Sequence, residues 1–254
     1  MKRNSLFLIT IFFIVLIFCV NYFIFYNDRI IEGGDLDRDG FCLCKNVLNN
    51  GDIDVLKQLC VSKNYKKSKE IILNNPKMAH LKETVLNKDY VFQDYIWIIQ
   101  KSTVHTCHRD NNGDFFNETQ KHPSYTVIVY LEDMDKCLGL MPGSHKDLYT
   151  NAINITDTVQ NVLCSKGDVI IFNANLVHVG TINKRDDNLR IQLKLTHADD
   201  IPALGYYQNF NKVSQQRQYI TLGIGSRTKT VFMYVSIYVR FNPGRKYTYR
   251  KRQR

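Results

Sequence analysis

Seven histidines are spread along the 254 residues, and three of them open an H-x-D triplet: His108-Arg109-Asp110, His145-Lys146-Asp147 and His197-Ala198-Asp199. A triplet of this kind suits a metal when a strand carries it. Alternate residues of a strand point to one face, so an imidazole and a carboxylate can grip one ion from the same side. A second imidazole from elsewhere completes three ligands on one face of an octahedron and leaves three positions open, the pattern of a non-haem iron(II) centre.

Position along the chain selects among the triplets. His197 is the last histidine, so nothing downstream can complete its set. His145 is followed by His178 after 33 residues, which leaves little room for the strands that carry a distal ligand around a barrel. His108 and Asp110 end the run STVHTCHRD, and His178 follows after 68 residues at the end of GDVIIFNANLVH. The expected metal ligands are therefore His108, Asp110 and His178. Arg190 comes twelve residues later in RIQLKLT, on one strand face with Gln192 and Lys194 and opposite Ile191 and Leu193. A strand-borne guanidinium beside a metal pocket is suited to a two-pronged grip on a carboxylate. His108-Arg109-Asp110 also opens a kinase catalytic loop, but that motif needs Asn five residues after the Asp, where Phe115 stands.

The elements that must position these residues are short and β-rich. From Tyr90 onward YVFQDYIWIIQ, STVHTCH, SYTVIVYLE, DVIIF and LRIQLKLT alternate with Asn, Gly and Asp clusters, predicting an antiparallel sandwich or barrel. Before them GFCLCKNVL predicts a strand, Asp52 is a candidate cap for a helix reaching about Asn64, and 65–90 reads as mixed helix and loop. Asp35, Asp37, Asp39 and Gly40 imitate the start of a calcium loop, but Asn46 occupies the position that needs Glu, so a linker is expected. TVFMYVSIYVRF near the end is apolar but too short to span a bilayer.

Several of these segments together resemble the phytanoyl-CoA dioxygenase family of iron and 2-oxoglutarate oxygenases. Met141 to Lys146, MPGSHK, is similar to that family's Pro-Gly-Ser-His loop, TVIVYLED to the strand and turn before it, and DGFCLCKNVL to the family's start. The resemblance covers roughly residues 39 to 200. It implies a mainly β fold with flanking helices, a double-stranded β-helix or jelly roll. It further implies Fe(II) on His108, Asp110 and His178, the distal carboxylate of 2-oxoglutarate on Arg190, O₂ as second cosubstrate and ascorbate as reductant. Two positions depart from the pattern: Asp135-Lys136 precede Cys137 where Asn-Gly is usual, and Gln192 replaces a small hydroxyl residue.

The organisation expected around this domain is an N-terminus and anchor over 1–27, a linker over 28–38, the oxygenase domain over 39–211 and a basic extension over 212–254. Residues 5–26 carry no charge, enough as a helix to cross about 30 Å of hydrocarbon. Lys2 and Arg3 precede the span and Asp28, Arg29, Glu32 and Asp35 follow it, so the N-terminus is expected in the cytosol and the catalytic domain in the lumen or outside. The sequons at Asn117 and Asn154 suit that side. Six cysteines lie beyond the anchor at no zinc-like spacing, leaving disulfides and buried thiols both open.

The net charge of +10 resides in the extension: residues 212–254 hold eleven Lys and Arg and no acid, while the remainder is near neutral. That distribution argues against a basic, nucleic-acid-binding face on the main body and leaves a solvated tail or a tail in contact with anionic lipid or nucleic acid. Two other functions stay open on the sequence alone: a catalytically idle jelly roll used for binding, and a lipid- or nucleic-acid-binding protein acting through its tail. The substrate class expected from the resemblance is small or lipid-like, with a protein or glycan side chain as the alternative.

Overall fold

The computed structural model describes residues 7–16, 30–31, 33–101, 108–110, 120–146, 159–180 and 188–214. The run STVHTCH apart from His108, the sequons at Asn117 and Asn154, TVFMYVSIYVRF and the extension beyond 214 lie outside them. A helix, α1, covers 7–16, and its apolar side chains are exposed. The remainder of the predicted anchor is outside the described residues, among which no helix is long and apolar enough to cross a membrane.

Two sheets form the body. One has four strands in the order β1 (Ile30–Ile31), β7 (Gln160–Cys164), β6 (Met134–Leu140), β9 (His178–Gly180). The other has seven: β11 (Phe210–Ser214), β4 (Tyr95–Ile99), β10 (Arg190–His197), β5 (Tyr125–Tyr130), β8 (Val169–Asn173) and β2 (Phe41–Cys44), with β3 (Tyr90–Phe92) also paired to β10. Pairing is antiparallel except between β1 and β7 and between β11 and β4. This two-sheet arrangement is a jelly-roll-like fold. β1 falls inside the expected linker, and β11 crosses the expected 211/212 boundary while bonding along β4.

The large sheet is apolar on both faces because each face has a partner. Along β5, Val127 and Val129 join one core with Ile53, Leu56, Ile72 and Met78 of the helices, whereas Ile128 and Tyr130 join a second core with Leu138, Leu140 and Val162 of the small sheet. Burying each such side chain contributes about 1.5–3 kcal/mol, so a one-residue slip, which swaps both faces, is strongly disfavoured. In β10 the helix-side core takes Ile191, Leu193 and Leu195, which turns Arg190, Lys194 and Thr196 between the sheets.

Three asparagine-capped helices cover the outer face: α2 (Asn50–Val61), α3 (Tyr65–Leu73) and α4 (Pro76–Val85). Asn49, not Asp52, caps α2. Its side chain accepts from the Asp52 N–H at 2.9 Å, and Asp52 sits in the first turn, where the helix dipole favours a carboxylate. Strands β6 and β7 arise where the sequence shows no clean alternation, and β6 carries a register shift between Met134 and Leu138.

Candidate functional site

The residue pair at the centre of the site is fixed by backbone. His108 donates its N–H to the His178 carbonyl at 3.0 Å and accepts the His178 N–H at 2.9 Å. This antiparallel bridge sets the two imidazoles side by side, with centroids 4.3 Å apart. Asp110, two residues on, turns Oδ1 toward both rings, 3.8 Å from His108 Nε2 and 3.6 Å from His178 Nε2. The three predicted ligands therefore meet, although 68 residues of chain separate His178 from Asp110.

Hydrogen bonding fixes the tautomer of His178. Its Nδ1 lies 2.9 Å from the Leu176 carbonyl, which can only accept, so Nδ1 carries the proton and Nε2 presents its lone pair to the cluster. Burial, with His108 close by, pushes His178 down to about 3, which keeps the ring neutral at physiological pH. For Asp110, burial works to raise the pKa, but Lys194, His178 and His108 together outweigh it and hold the carboxyl well below the usual carboxylate range. A neutral imidazole at His178 and an ionised carboxylate at Asp110 are the protonation states a divalent metal requires of those ligands.

The second oxygen of Asp110 is engaged elsewhere. Lys194 Nζ donates to Oδ2 at 2.5 Å and to Thr126 Oγ1 at 2.6 Å, and the Thr126 hydroxyl donates to the same Oδ2. Lys194 is buried, with its ammonium 4.9 Å from the centre of the Tyr207 ring. Oδ1 is thus left as a single ligand atom facing the two rings, and the donor set fits a two-histidine, one-carboxylate iron site.

The Pro-Gly-Ser-His loop supports this cluster from behind. Arg109 points away from the cluster and donates from Nη1 to the carbonyls of Ser144 (2.6 Å) and Asn175. Ser144 Oγ accepts the Val177 N–H at 2.9 Å, and Asn175 Nδ2 donates to the His145 carbonyl at 3.1 Å. His145 is itself buried, with Nε2 3.3 Å from the Asp37 carbonyl. Gly40 adopts φ +84°, and any Cβ there would strike the His145 ring. His145 is therefore structural, and Asp147 lies outside the described residues.

Arg190 begins the same face of β10, directly across from Tyr130 on β5. Both are buried, and burial pushes the guanidinium down from its usual value while the Tyr130 phenol is pushed up. Among the described residues no carboxylate pairs with Arg190, whose Nη1 donates to the Asn188 carbonyl at 3.0 Å. The Tyr130 hydroxyl likewise meets no hydrogen-bonding oxygen or nitrogen among them. A buried cation beside a buried hydroxyl is a receptacle for an anion that both can hydrogen-bond. The sequence indicated Arg190 but not Tyr130, Thr126 or the inward role of Lys194. With Arg190 they form two cross-strand pairs of β10 and β5, Lys194 facing Thr126 and Arg190 facing Tyr130.

The five described cysteines beyond the anchor, Cys42, Cys44, Cys60, Cys137 and Cys164, are free thiols. Among the described residues a second set of metal-compatible side chains is His122, His197 and Asp199.

The sequence profile of the family described as phytanoyl-CoA dioxygenase (PhyH) matches residues 62–190. No curated protein matches the chain. Among solved structures, AviO1 from Streptomyces viridochromogenes Tue57 is 17% identical with a TM-score of 0.50, covering 63% of this chain and 91% of its own. SnoN, described as a non-heme alpha ketoglutarate dependent epimerase from nogalamycin biosynthesis, is 17% identical with a TM-score of 0.51, covering 64% and 78%. HygX from Streptomyces hygroscopicus, solved with nickel and 2-oxoglutarate bound, is 18% identical with a TM-score of 0.50, covering 63% and 83%. At these identities the likeness shows a shared fold.

Proposed function

The chain belongs to the phytanoyl-CoA dioxygenase family, and on that premise we propose that it is an Fe(II)- and 2-oxoglutarate-dependent oxygenase. The observation that carries this reading is the convergence of His108 Nε2, His178 Nε2 and Asp110 Oδ1 on one point. Those three residues would hold the metal, and Arg190 with Tyr130 would take the distal carboxylate of 2-oxoglutarate. Iron held there supplies the O₂ activation that couples conversion of 2-oxoglutarate to succinate and CO₂ with oxidation of a substrate C–H bond.

The protein's own contribution is positional. The backbone bridge orients the imidazoles, Lys194 and Thr126 keep Asp110 to one ligand oxygen, and Phe172, 4.7 Å from the His178 ring, keeps that side apolar. Hydroxylation is the outcome favoured by Asp110, because a halogenating centre needs the carboxylate position free for halide. We take the substrate to be small or lipid-like and residues 5–26 to be a membrane tether, with the domain on the lumenal or extracellular side. The exposed apolar surface of α1, with Phe7, Leu8 and Phe12 at 67%, 65% and 63%, supports the tether.

Metal-stripped protein reconstituted with Fe(II), ascorbate and 2-oxoglutarate should develop the visible charge-transfer band of a chelated 2-oxo acid and release succinate. Asp110→Ala should lose both. Stoichiometric iron with neither band nor succinate would instead mark an idle jelly roll. Resistance of the protein to carbonate extraction from membranes, with a glycosidase-sensitive mobility shift, tests the tether and its orientation.

A further inference from the structure

The triplet His197-Ala198-Asp199 lacks a downstream histidine, but the fold supplies an upstream one. His122, just ahead of β5, stacks its ring on that of His197 at the end of β10, with centroids 3.7 Å apart and planes 23° from parallel. Asp199 Oδ2 lies 3.8 Å from His122 Nε2 and 3.9 Å from His197 Nδ1. One ligand atom from each of the three residues falls within 4.8 Å of the others.

We propose that His122, His197 and Asp199 form a second metal site, taking a zinc-class divalent cation on the face of β10 opposite the iron triad. The separation follows from strand alternation: His197 shares the helix-side face with Ile191, Leu193 and Leu195, whereas Lys194 and Asp110 meet between the sheets. A tetrahedral zinc at about 2.0–2.1 Å from its ligands sets them roughly 3.3–3.4 Å apart. The two carboxylate–imidazole separations need to close by about half an ångström, and the stacked imidazoles, whose ligand atoms lie within 4.8 Å, need to turn toward a common point by side-chain rotation.

The backbone beneath the ligands is already held without metal. The Asp200 carboxylate accepts the N–H groups of Lys121 at 2.8 Å and His122 at 2.7 Å, tying the His122 segment to the turn that carries Asp199. Residue 197 pairs with Tyr90 of β3, whose ring meets the His197 ring edge to face at 5.4 Å. His197 Nδ1 accepts the Asp199 N–H at 3.3 Å, so its lone pair already points toward Asp199, and a cation would replace that long bond. Side-chain exposure of 38% for His122 and 59% for Asp199 leaves the cluster open to a cation and to a water as fourth ligand.

Ligand chemistry selects the ion. Two imidazoles and one carboxylate suit Zn(II) and its neighbours in the first transition row, whereas Mg(II) and Ca(II) seek all-oxygen shells. Bound there, the cation staples the entry to β5 onto the exit of β10.

The test uses the full chain, stripped with a chelator and dialysed against Zn(II). In a His178→Ala background, which disables the triad, one equivalent should bind and should raise the thermal midpoint. Adding His122→Ala, or the exposed Asp199→Asn should the first variant fold poorly, should abolish both effects. No zinc in the His178→Ala protein, or an equivalent that survives both further substitutions, overturns the proposal. Failure of the triad as an iron site would appear separately, as unchanged metal uptake when His178→Ala is compared with the unsubstituted chain.

Discussion

Lys194 donates to the one oxygen of Asp110 that does not face the imidazoles. The buried ammonium thereby does two things: it compensates a carboxylate taken out of water, and it assigns the two oxygens of that carboxylate to different partners. Neither follows from the ligand triplet alone.

Replacing Lys194 leaves Asp110 charged and buried without its cationic partner, with Thr126 as the remaining hydrogen-bond donor to Oδ2. Removing one partner of a buried pair costs about 3–5 kcal/mol. Lys194→Met should therefore lower the metal-free unfolding free energy by that order in urea titrations. Lys194→Met/Asp110→Asn should recover much of the loss, since it removes the stranded charge. Equal instability of the single and double variants would mean that the ammonium acts through packing on Tyr207 instead.

His178 gives the fold a pH dependence of known sign. Its folded-state value of about 3 lies below the ordinary imidazole value of 6.5, so between those limits the unfolded chain binds the extra proton. Metal-free stability should fall as pH drops from about 6.5, with a slope of up to roughly 1.4 kcal/mol per pH unit from this residue. Asp110, depressed rather than raised, adds no slope there, because its contribution is lost only below the usual carboxylate range. Chemical denaturation at pH 7, 6 and 5 should show the slope, reduced in His178→Leu.

On β2, Cys42 and Cys44 point the same way, with their sulfurs 3.4 Å apart. The hydrogen bond with Cys44, working against burial, brings Cys42 down to about 7, while Cys44 is pushed up. Burial raises Cys60 to about 12. A thiol-alkylating reagent at neutral pH should label Cys42 well before Cys60, Cys137 or Cys164 in the native protein, as read by peptide mass spectrometry. Labelling of Cys60 at a similar rate would contradict this ordering.

The clustering of His108, Asp110 and His178 was legible in the sequence because its signal is categorical: an H-x-D triplet and a later His at the end of an apolar run, followed by an Arg at strand spacing. Lys194 was harder to interpret. In RIQLKLT its alternation with Ile191, Leu193 and Leu195 is the pattern of a half-exposed strand, yet the polar face looks into a cleft between sheets. Periodicity separates the two faces of a strand and cannot distinguish water from a polar interior. Tyr130 closes an apolar run and reads as core, which it also is. His122 carries no local signal, because its partners come from a different strand end and only pairing of β10 with β5 brings them near. β6 was obscured by its bulge and by Asp135, Lys136 and Gly139 within it.

Arg190 and Tyr130 offer the sharpest separation of cosubstrate binding from metal binding. They lie across from each other on β10 and β5, while the metal ligands are supported by Lys194 and Thr126, four residues along each strand. At about 3.3 Å per residue that offset is roughly 13 Å of strand backbone, so the anion-binding pair and the support of the metal ligands are separate parts of the cleft. A hydrogen bond to a charged group contributes about 1.5–3 kcal/mol, equivalent to roughly 10- to 150-fold in affinity. Tyr130→Phe should weaken 2-oxoglutarate binding by about that factor and Arg190→Met by more, each leaving the affinity for Co(II) or Ni(II) within about twofold of the unsubstituted chain. Calorimetric titration of the metal-loaded protein with 2-oxoglutarate reads the first quantity, and titration of the stripped protein with metal reads the second. Parallel loss of both would place Arg190 in the support of the fold, whereas loss of the first alone identifies it as the carboxylate anchor.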